Sequence, residues 1–244
     1  MKIKIIASVL LCCLTLNSCS YIEAENKIKQ KMKGDPSADI QNEESYMKME
    51  DSIREEKIQD SIKNKVPMNA TEEQLHYLGE TFELNIYENK NEVTINNFEL
   101  FDSLGAAGTS LSETIIFDTK SELYDLKSDS FSEGYKLFVA DITVTNKSEE
   151  GVFDLKYICD FLLEDFAYSN NDNWVIWFSD HPKPEDDPDG KGYYTYTLYS
   201  GETKNVKVGW LIDMDKYSID DLFIQAGNTM EYEKIEYVYL SQGE

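Results

Sequence analysis

The spacing of hydrophobic residues changes near Thr81 from sparse to alternating. Over residues 36–65 the apolar positions are few and lie between charged residues, so this stretch cannot supply a packed core. From Thr81 onward apolar and polar residues alternate, which places every second side chain on one face of a β-strand. The clearest strand is predicted over residues 135–145. Its apolar face comprises Phe138, Ala140, Ile142 and Val144.

Similar short runs, separated by turn residues, recur to the end of the chain. A change of phase by one residue falls at Asn96-Asn97. Because no long helical patterns separate the runs, they favour an all-β fold, an antiparallel β-sandwich. The predicted strands cover residues 82–86, 93–100, 135–145, 152–155, 158–163, 174–178, 193–198, 206–211, 222–225 and 235–240, with 115–117 as a weaker candidate.

The sparse, charged stretch before the strands has helix signals at both ends. Asp35 fits an N-cap and Pro36 fits the first helical position, while Val66-Pro67 ends the pattern. With so few apolar residues, both a stalk helix and a disordered tether remain open.

A second helical signal lies at the edge of the domain. Thr71 and Gln74 have the spacing of a capping box, and Gly79 fits a helix terminator. We therefore predict one or two helical turns that include Leu75 and Leu78.

The first residues have the three parts of an export signal. A short basic start precedes an apolar run over residues 5–16, which is too short to span a bilayer as a mature helix. The run ends in Leu16-Asn17-Ser18-Cys19, which resembles the lipobox of bacterial lipoproteins. This resemblance implies that residues 1–18 are removed and that Cys19 is acylated, which would bind the chain to a membrane of the cell envelope, outside the cytoplasm. The alternative is an ordinary cleaved signal with an incidental cysteine.

These patterns divide the chain into three parts. Residues 1–18 form the signal peptide, residues 19–67 form a charged helical or disordered tether, and residues 68–244 form the β-sandwich. Asp and Glu number 47 against 23 Lys and Arg, which gives a formal net charge of −24. Phosphate backbones repel so acidic a chain, so we expect no nucleic-acid partner.

Two stretches resemble a known family of bacterial secreted lipoproteins. Residues 134–147 end in Thr145-Asn146-Lys147, and Ser200-Gly201-Glu202-Thr203 precedes a strand over residues 206–212. Both are similar to elements of telokin-like, immunoglobulin-like domains of unknown function, with Ser200 in place of the usual proline. The resemblance implies an immunoglobulin-like sandwich, and because both motifs position backbone, it implies no catalytic residue.

Residues for catalysis and for cofactor binding are scarce. His76 and His181 are the two histidines, and neither has the neighbours of a zinc site or a catalytic triad. The sequence contains no glycine-rich nucleotide motif and no nucleophile elbow. We therefore predict a non-enzymatic protein without a cofactor.

One loop has the start of a calcium-binding pattern. Glu185, Asp187 and Asp189 occupy the first, third and fifth positions of such a loop, and Gly190 occupies the sixth. The acidic ligand expected at the twelfth position is missing, because Tyr196 stands there. We expect an acidic, solvated loop rather than a metal site, with these three residues as the candidate ligands.

Aromatic residues around that loop are the candidate partner-binding residues. Strand alternation places Trp174 and Trp177 on opposite faces, so one set is predicted to be core and the other exposed. Exposed Tyr and Trp side chains are typical anchors of protein or carbohydrate recognition, although packing within the sheet is the alternative. The candidates are Trp174, Trp177, Tyr193, Tyr194 and Tyr196.

The sequence thus predicts a lipid-anchored envelope protein whose β-sandwich binds a protein or glycan. The alternative is an envelope hydrolase in which the fold brings two carboxylates together. A cleft holding such a pair, with one raised pKa, would favour the hydrolase.

Overall fold

A computed structural model describes residues 39–86, 89–114, 121–149, 153–157, 161–169, 175–182, 186, 195–227 and 234–241. In these residues a single α-helix, α1 (Asp39–Asn64), precedes the strands. The strands are β1 (Leu75–Tyr77), β2 (Thr81–Ile86), β3 (Asn89–Phe101), β4 (Tyr124–Asp125), β5 (Ser130–Phe131), β6 (Tyr135–Asn146), β7 (Phe153–Tyr157), β8 (Phe161–Asp165), β9 (Val175–Phe178), β10 (Thr195–Tyr199), β11 (Thr203–Asp213), β12 (Leu222–Ala226) and β13 (Glu236–Tyr239).

The strands form two main sheets and two small ones. The larger sheet has the order β2-β3-β6-β11-β9, and the smaller main sheet has the order β1-β13-β12-β8. Strands β10 and β7 form one two-stranded sheet, and β4 and β5 form the other. All pairs are antiparallel except β1 with β13, so the predicted all-β, antiparallel architecture is confirmed with one parallel pair at an edge.

The main core lies between the two large sheets. Apolar side chains from the inner faces of both sheets are buried there, as alternation along the strands requires. The predicted apolar face of β6 is entirely within this core. From the five-stranded sheet the core takes, among others, Phe138, Ile142, Val208 and Trp210; from the four-stranded sheet it takes Leu163, Leu222, Ile224 and Val238.

The change of phase predicted at Asn96-Asn97 is a β-bulge in β3. The pairing of β3 with β6 shifts register between Ile95 and Asn97, so Ile95 pairs with Ile142 and Asn97 pairs with Asp141. The extra residue restores the inward direction of the apolar side chains that follow, which is why the hydrophobic pattern changes phase there.

The two motifs of the family resemblance meet at one end of the sandwich. Asn146 ends β6 fully buried, where its Nδ2 donates to the Leu198 carbonyl oxygen at 2.9 Å. The turn after β10 contains Gly201 at a φ of 76°, and the Tyr199 N–H donates to Glu202 Oε2 at 2.9 Å. Both motifs therefore fix the course of the backbone at this end of the sandwich, as the sequence predicted.

A second, smaller core covers one end of the outer face of the five-stranded sheet. Leu137, Val139 and Leu211 point away from the main core, yet all three are buried. The segment between β3 and β6 covers them with Leu104 and Phe131. The alternation on β6 and β11 predicted only one buried face, because it could not show which distant segment folds over the other.

Gly209 makes room for an aromatic ring in this second core. A Cβ atom added to Gly209 would lie 3.2 Å from Leu137 Cδ1 and 3.3 Å from Trp177 Cβ. Trp177 pairs with Gly209 across the β9–β11 ladder, where the register shifts before Trp210. The bulge and the missing side chain together let Trp177 pack on the outer face.

We expect Gly209→Val to lower the free energy of unfolding by about 1–3 kcal/mol, because the added atoms overpack the space beneath Trp177. Urea denaturation followed by circular dichroism measures the change. Asn205→Val on the same face of β11 is the matched control, since Asn205 is exposed and its replacement should change stability by about 0.5 kcal/mol or less. Equal effects of the two substitutions would contradict the packing role of Gly209.

The predicted helix over Thr71 to Leu78 is wrong beyond its first residues. The capping box forms around a short 3₁₀ helix, Glu72–Gln74, and the chain then extends as β1. Strand β1 pairs with β13, so Leu75 lies beside Tyr237 and Tyr77 beside Tyr239. The local signal is real, but pairing with a strand far along the chain overrides it for Leu75, His76 and Tyr77.

Of the two alternatives for the charged stretch, residues 39–64 form the helix. Its C-terminal end bonds to the segment that follows it: Lys57 Nζ donates to Asn69 Oδ1 at 2.7 Å, and Ser61 Oγ donates to the Val66 carbonyl oxygen at 2.6 Å. Lys65 then forms an ion pair with Asp221. Residues 19–38 of the predicted tether lie outside the described residues.

Candidate partner-binding surface

Two of the predicted aromatic anchors are inside the molecule. Trp177 is 7% exposed in the second core, and Tyr196 is 6% exposed in the main core, where its ring lies 5.6 Å from that of Phe178. All four residues of β9 are buried, so the expected exposed set on this strand is not found. The second core covers the outer face of β9, which was predicted to be exposed. Trp177 and Tyr196 are therefore not accessible to a partner.

The other predicted site residues lie outside the described residues. These are Cys19, the aromatic candidates Trp174, Tyr193 and Tyr194, and the candidate metal ligands Glu185, Asp187 and Asp189. Among the described residues, no group of three or more His, Cys, Asp or Glu side chains could hold a metal ion. Tyr199, which closes the aromatic region at the end of β10, is 65% exposed.

A different aromatic surface lies on the outer face of the four-stranded sheet. Phe223 of β12 and Tyr237 of β13 project outward, and Phe166, just after β8, packs against Phe223 with ring centroids 5.1 Å apart. Tyr168 meets Phe223 edge to face at 5.9 Å. We call this set, with Tyr239 at its end, the aromatic face: Phe166, Tyr168, Phe223, Tyr237 and Tyr239.

The aromatic face reaches solvent at the pair of Tyr77 and Tyr239. Their rings stack with centroids 5.5 Å apart, and Tyr77 is 41% exposed. Burial, with a smaller contribution from Tyr77, raises the pKa of Tyr239. The Tyr239 hydroxyl therefore stays protonated at neutral pH, and the pair offers apolar rings with hydrogen-bonding tips.

Most of the aromatic face is covered by the chain between α1 and β1. Ala70 and Leu75 pack against it, and Lys65 Nζ lies 5.5 Å from the centre of the Phe166 ring. The Met68 N–H donates to the Tyr168 hydroxyl at 2.8 Å. Burial, as the largest cause, raises the pKa of Tyr168, which keeps this hydroxyl neutral.

His76 lies on the inner side of β1, at the border of the main core. Its ring stacks on Phe82 with centroids 4.5 Å apart, and its Nε2 lies 2.8 Å from Glu236 Oε2. These contacts join β1 to β13 and to β2 of the opposite sheet. A histidine held in this way is a structural residue, and the predicted short helix around it is absent from this part of the described chain.

The buried carboxylates do not form a catalytic pair. Glu164 and Asp165 are neighbours on β8, so their side chains project to opposite sides of the sheet. Asp165 closes a turn by accepting the Ala167 N–H at 2.6 Å and the Ser169 N–H at 3.1 Å. The described residues thus give no support to the hydrolase alternative.

The aromatic face had a weak signal in the sequence. Tyr237 and Tyr239 alternate along the last predicted strand, and Phe223 takes the outward position on the strand before it. Alternation gives the residues that share a face but does not say which faces become neighbours. The pairing of β12 with β13 and of β1 with β13 supplied that information.

The described residues therefore define a protein in which a charged α-helix precedes a β-sandwich domain. Residues 69–241 match the family described as "Domain of unknown function (DUF5027)". The chain belongs to this family. No curated protein sequence gives a significant match.

Similarity to solved structures is distant. The yjhA protein from Bacillus subtilis is 16% identical, with 68% of this chain and 99% of that chain covered and a TM-score of 0.39. An uncharacterised β-sandwich protein from Clostridium difficile 630 is 14% identical, and the match covers 71% of this chain and 97% of that chain with a TM-score of 0.34. A candidate lipoprotein from Bacillus subtilis, ycdA, is 10% identical, and the match covers 65% of this chain and 37% of that chain with a TM-score of 0.35.

The described helix is not of the membrane-spanning kind. No helix among the described residues combines the length and the apolar content needed to cross a bilayer. Helix α1 has charged residues along its whole length.

Proposed function

We propose that this chain is a lipid-anchored envelope protein whose β-sandwich binds a protein or glycan without catalysing a reaction. The observation that carries the proposal is a charged helix that directly precedes the sandwich and contacts it at the helix C-terminal end. Lys57 and Ser61 on α1 bond to Asn69 and Val66 in the segment after the helix, and Lys65 pairs with Asp221 of the sandwich.

The helix suits a spacer between a membrane and a domain. Its 26 residues span about 39 Å at a rise of about 1.5 Å per residue. Most of its exposed side chains over residues 50–64 are charged, and none of its residues belongs to the main core, which is built from strand and loop residues. A helix of this kind would hold the sandwich away from lipid headgroups.

Acylation of Cys19 would supply the anchor. Each buried methylene contributes about 0.8 kcal/mol, so two acyl chains hold a protein stably to a bilayer whereas one does so only marginally. The lipobox resemblance of residues 16–19 is the support for this step.

The binding surface is proposed from exposed aromatic side chains. The stacked pair of Tyr77 and Tyr239 and the exposed Tyr199 offer rings to a partner at two places on the sandwich. Trp174, Tyr193 and Tyr194 remain candidates from the sequence. The geometry favours the tyrosine pair, because two stacked rings form one larger contact area.

We expect Cys19→Ser to abolish partition of the chain into the detergent phase, because serine offers no thiol for acylation. Phase separation of envelope extracts followed by immunoblotting measures the partition. The matched control is Cys13→Ser, which alters a cysteine of the predicted leader and should leave partition unchanged. A Cys19→Ser chain that partitions as the wild type does would refute an anchor at this residue.

Partner binding is tested separately by capture from the same extracts. The full chain is immobilised beside a Tyr199→Asp, Tyr239→Asp variant, and bound proteins and glycans are identified. The proposal requires a partner that the wild type retains and the variant loses. If the wild type retains nothing that the variant does not, the binding role at these tyrosines is rejected.

A further inference from the structure

The chain between α1 and β2 crosses the outer side of the four-stranded sheet as a strap, defined here as residues 65–77. The Met68 N–H bonds to the Tyr168 hydroxyl at 2.8 Å, and Gln74 Nε2 donates to the Ile235 carbonyl oxygen at 2.7 Å. Strand β1 completes the strap by pairing with β13 over three residues. The strap is thus held mainly at separate points along its length.

In this closed arrangement β1 is a protected edge. The Leu75 N–H bonds to the Glu72 carbonyl oxygen, and the Tyr77 N–H bonds to Glu80 Oε2 at 2.8 Å. The Glu80 N–H in turn donates to the Tyr77 carbonyl oxygen at 3.0 Å. Because these backbone groups are engaged locally, another strand would add to this side of the sheet by replacing β1 rather than by extending it.

The place that β1 occupies has the features of a strand-binding groove. On one side, Leu75 packs against the aromatic face and Tyr77 stacks on Tyr239. On the other side, His76 stacks on Phe82 and meets Glu236. An extended segment seated here gains backbone bonds from β13 and side-chain contacts on both faces of the sheet.

We propose that the strap is displaceable and that, when it lifts, β13 and the aromatic face bind an extended peptide segment of a partner in the place of β1. The seated strand shows the chemistry that fits: an apolar residue, a hydrogen-bonding residue and an aromatic residue in succession. The proposal rests on the partner-binding role proposed above, with Tyr239 as the contact and Tyr77 displaced together with β1, but not on acylation of Cys19.

The strap is expected to open before the rest of the sandwich. Strand β1 has three residues and one neighbouring strand, whereas β6 lies between β3 and β11 and pairs with β11 throughout the 11 residues of that strand. Elements with few pairings and solvent-exposed bonds open locally at lower free energy than central strands. Gly79, at a φ of 84°, follows the strap and its N–H bonds to the Ile95 carbonyl oxygen, so the opening would end there.

Two substitutions loosen the strap without touching the main core. Tyr168→Phe removes the acceptor for the Met68 N–H, and Gln74→Ala removes the bond to Ile235. Tyr124→Phe is the matched control, because it removes a tyrosine hydroxyl that bonds to Asp129 in the segment between β3 and β6. The measurements are hydrogen exchange of the full chain and binding of a fluorescent peptide with the sequence of residues 70–79, against a scrambled peptide.

Each strap substitution should speed amide exchange at His76, the β1 residue whose N–H faces β13, about fivefold, the change expected from losing one hydrogen bond, with residues 138–144 unaffected. Peptide affinity should rise by the same factor, because apparent affinity scales with the fraction of molecules in the open state. Tyr124→Phe should change neither quantity.

Two results would overturn the proposal. In the first, the His76 amide exchanges only together with residues 138–144, so the strap does not open by itself. In the second, exchange at His76 rises but the peptide binds no better than its scrambled form. If the capture experiment finds a partner that depends on Tyr199 alone, the proposed function is supported and this inference is rejected.

Discussion

Replacing Trp210 with alanine is expected to lower the free energy of unfolding by about 3–5 kcal/mol, the usual cost of removing a buried aromatic side chain. Trp210 is 0% exposed at the centre of the main core, where its ring meets Phe138 edge to face at 5.9 Å. The cavity would lie between the two sheets, where neighbouring strands hold the surrounding side chains in place. Urea denaturation at a constant m-value measures the loss.

Trp210→Phe provides an informative comparison. The indole Nε1 is buried and has no hydrogen-bond partner among the described residues, so burying it costs about 1–3 kcal/mol. Phenylalanine keeps most of the apolar contact and removes that polar group. We therefore expect a much smaller loss than for alanine. Equal losses for the two variants would contradict this, since they would mean that the apolar contact kept by phenylalanine contributes nothing.

Asn146→Ala is expected to lower the free energy of unfolding by the second largest amount, after Trp210→Ala. The expected cost is about 1–3 kcal/mol for each buried polar group that loses its partner. The Asn146 side chain is fully buried, accepts the Ser148 N–H at 2.9 Å and donates to the Leu198 carbonyl oxygen at 2.9 Å. Alanine leaves both backbone groups unpaired at the junction of β6 with β10. Thermal and urea unfolding of the full chain measure the change.

Asn96→Ala is the matched control for this substitution. Asn96 also makes two side-chain bonds, to Asp141 at 3.2 Å and Thr143 at 2.9 Å, but it is exposed. Water replaces both partners there, so we expect a change of about 0.5 kcal/mol or less. If Asn96→Ala and Asn146→Ala cost the same, burial is not what makes Asn146 important.

The candidate site shows where inference from the sequence stopped. Alternation on β9 predicted Val175 and Trp177 on the same face, and this is wrong, because they lie in different cores. The register shift between Gly209 and Trp210 of the neighbouring strand breaks the alternation there. It could not show that Leu104 and Phe131, far earlier in the chain, cover the second face. The same limit concealed the aromatic face, whose members come from the turn after β8 and from β12 and β13.

What the sequence by itself determined was the set of strands with one buried face. The pattern on β3, β6 and β11 follows directly from the alternation of side chains about an extended backbone, and even the bulge at Asn96-Asn97 is visible as a change of phase. Only the tertiary structure decided that residues 75–77 form a strand, that Trp177 is buried and that the strap covers the aromatic face. These outcomes depend on contacts between residues distant in the chain, such as Leu75 with Tyr237, and local propensity contains no information about them.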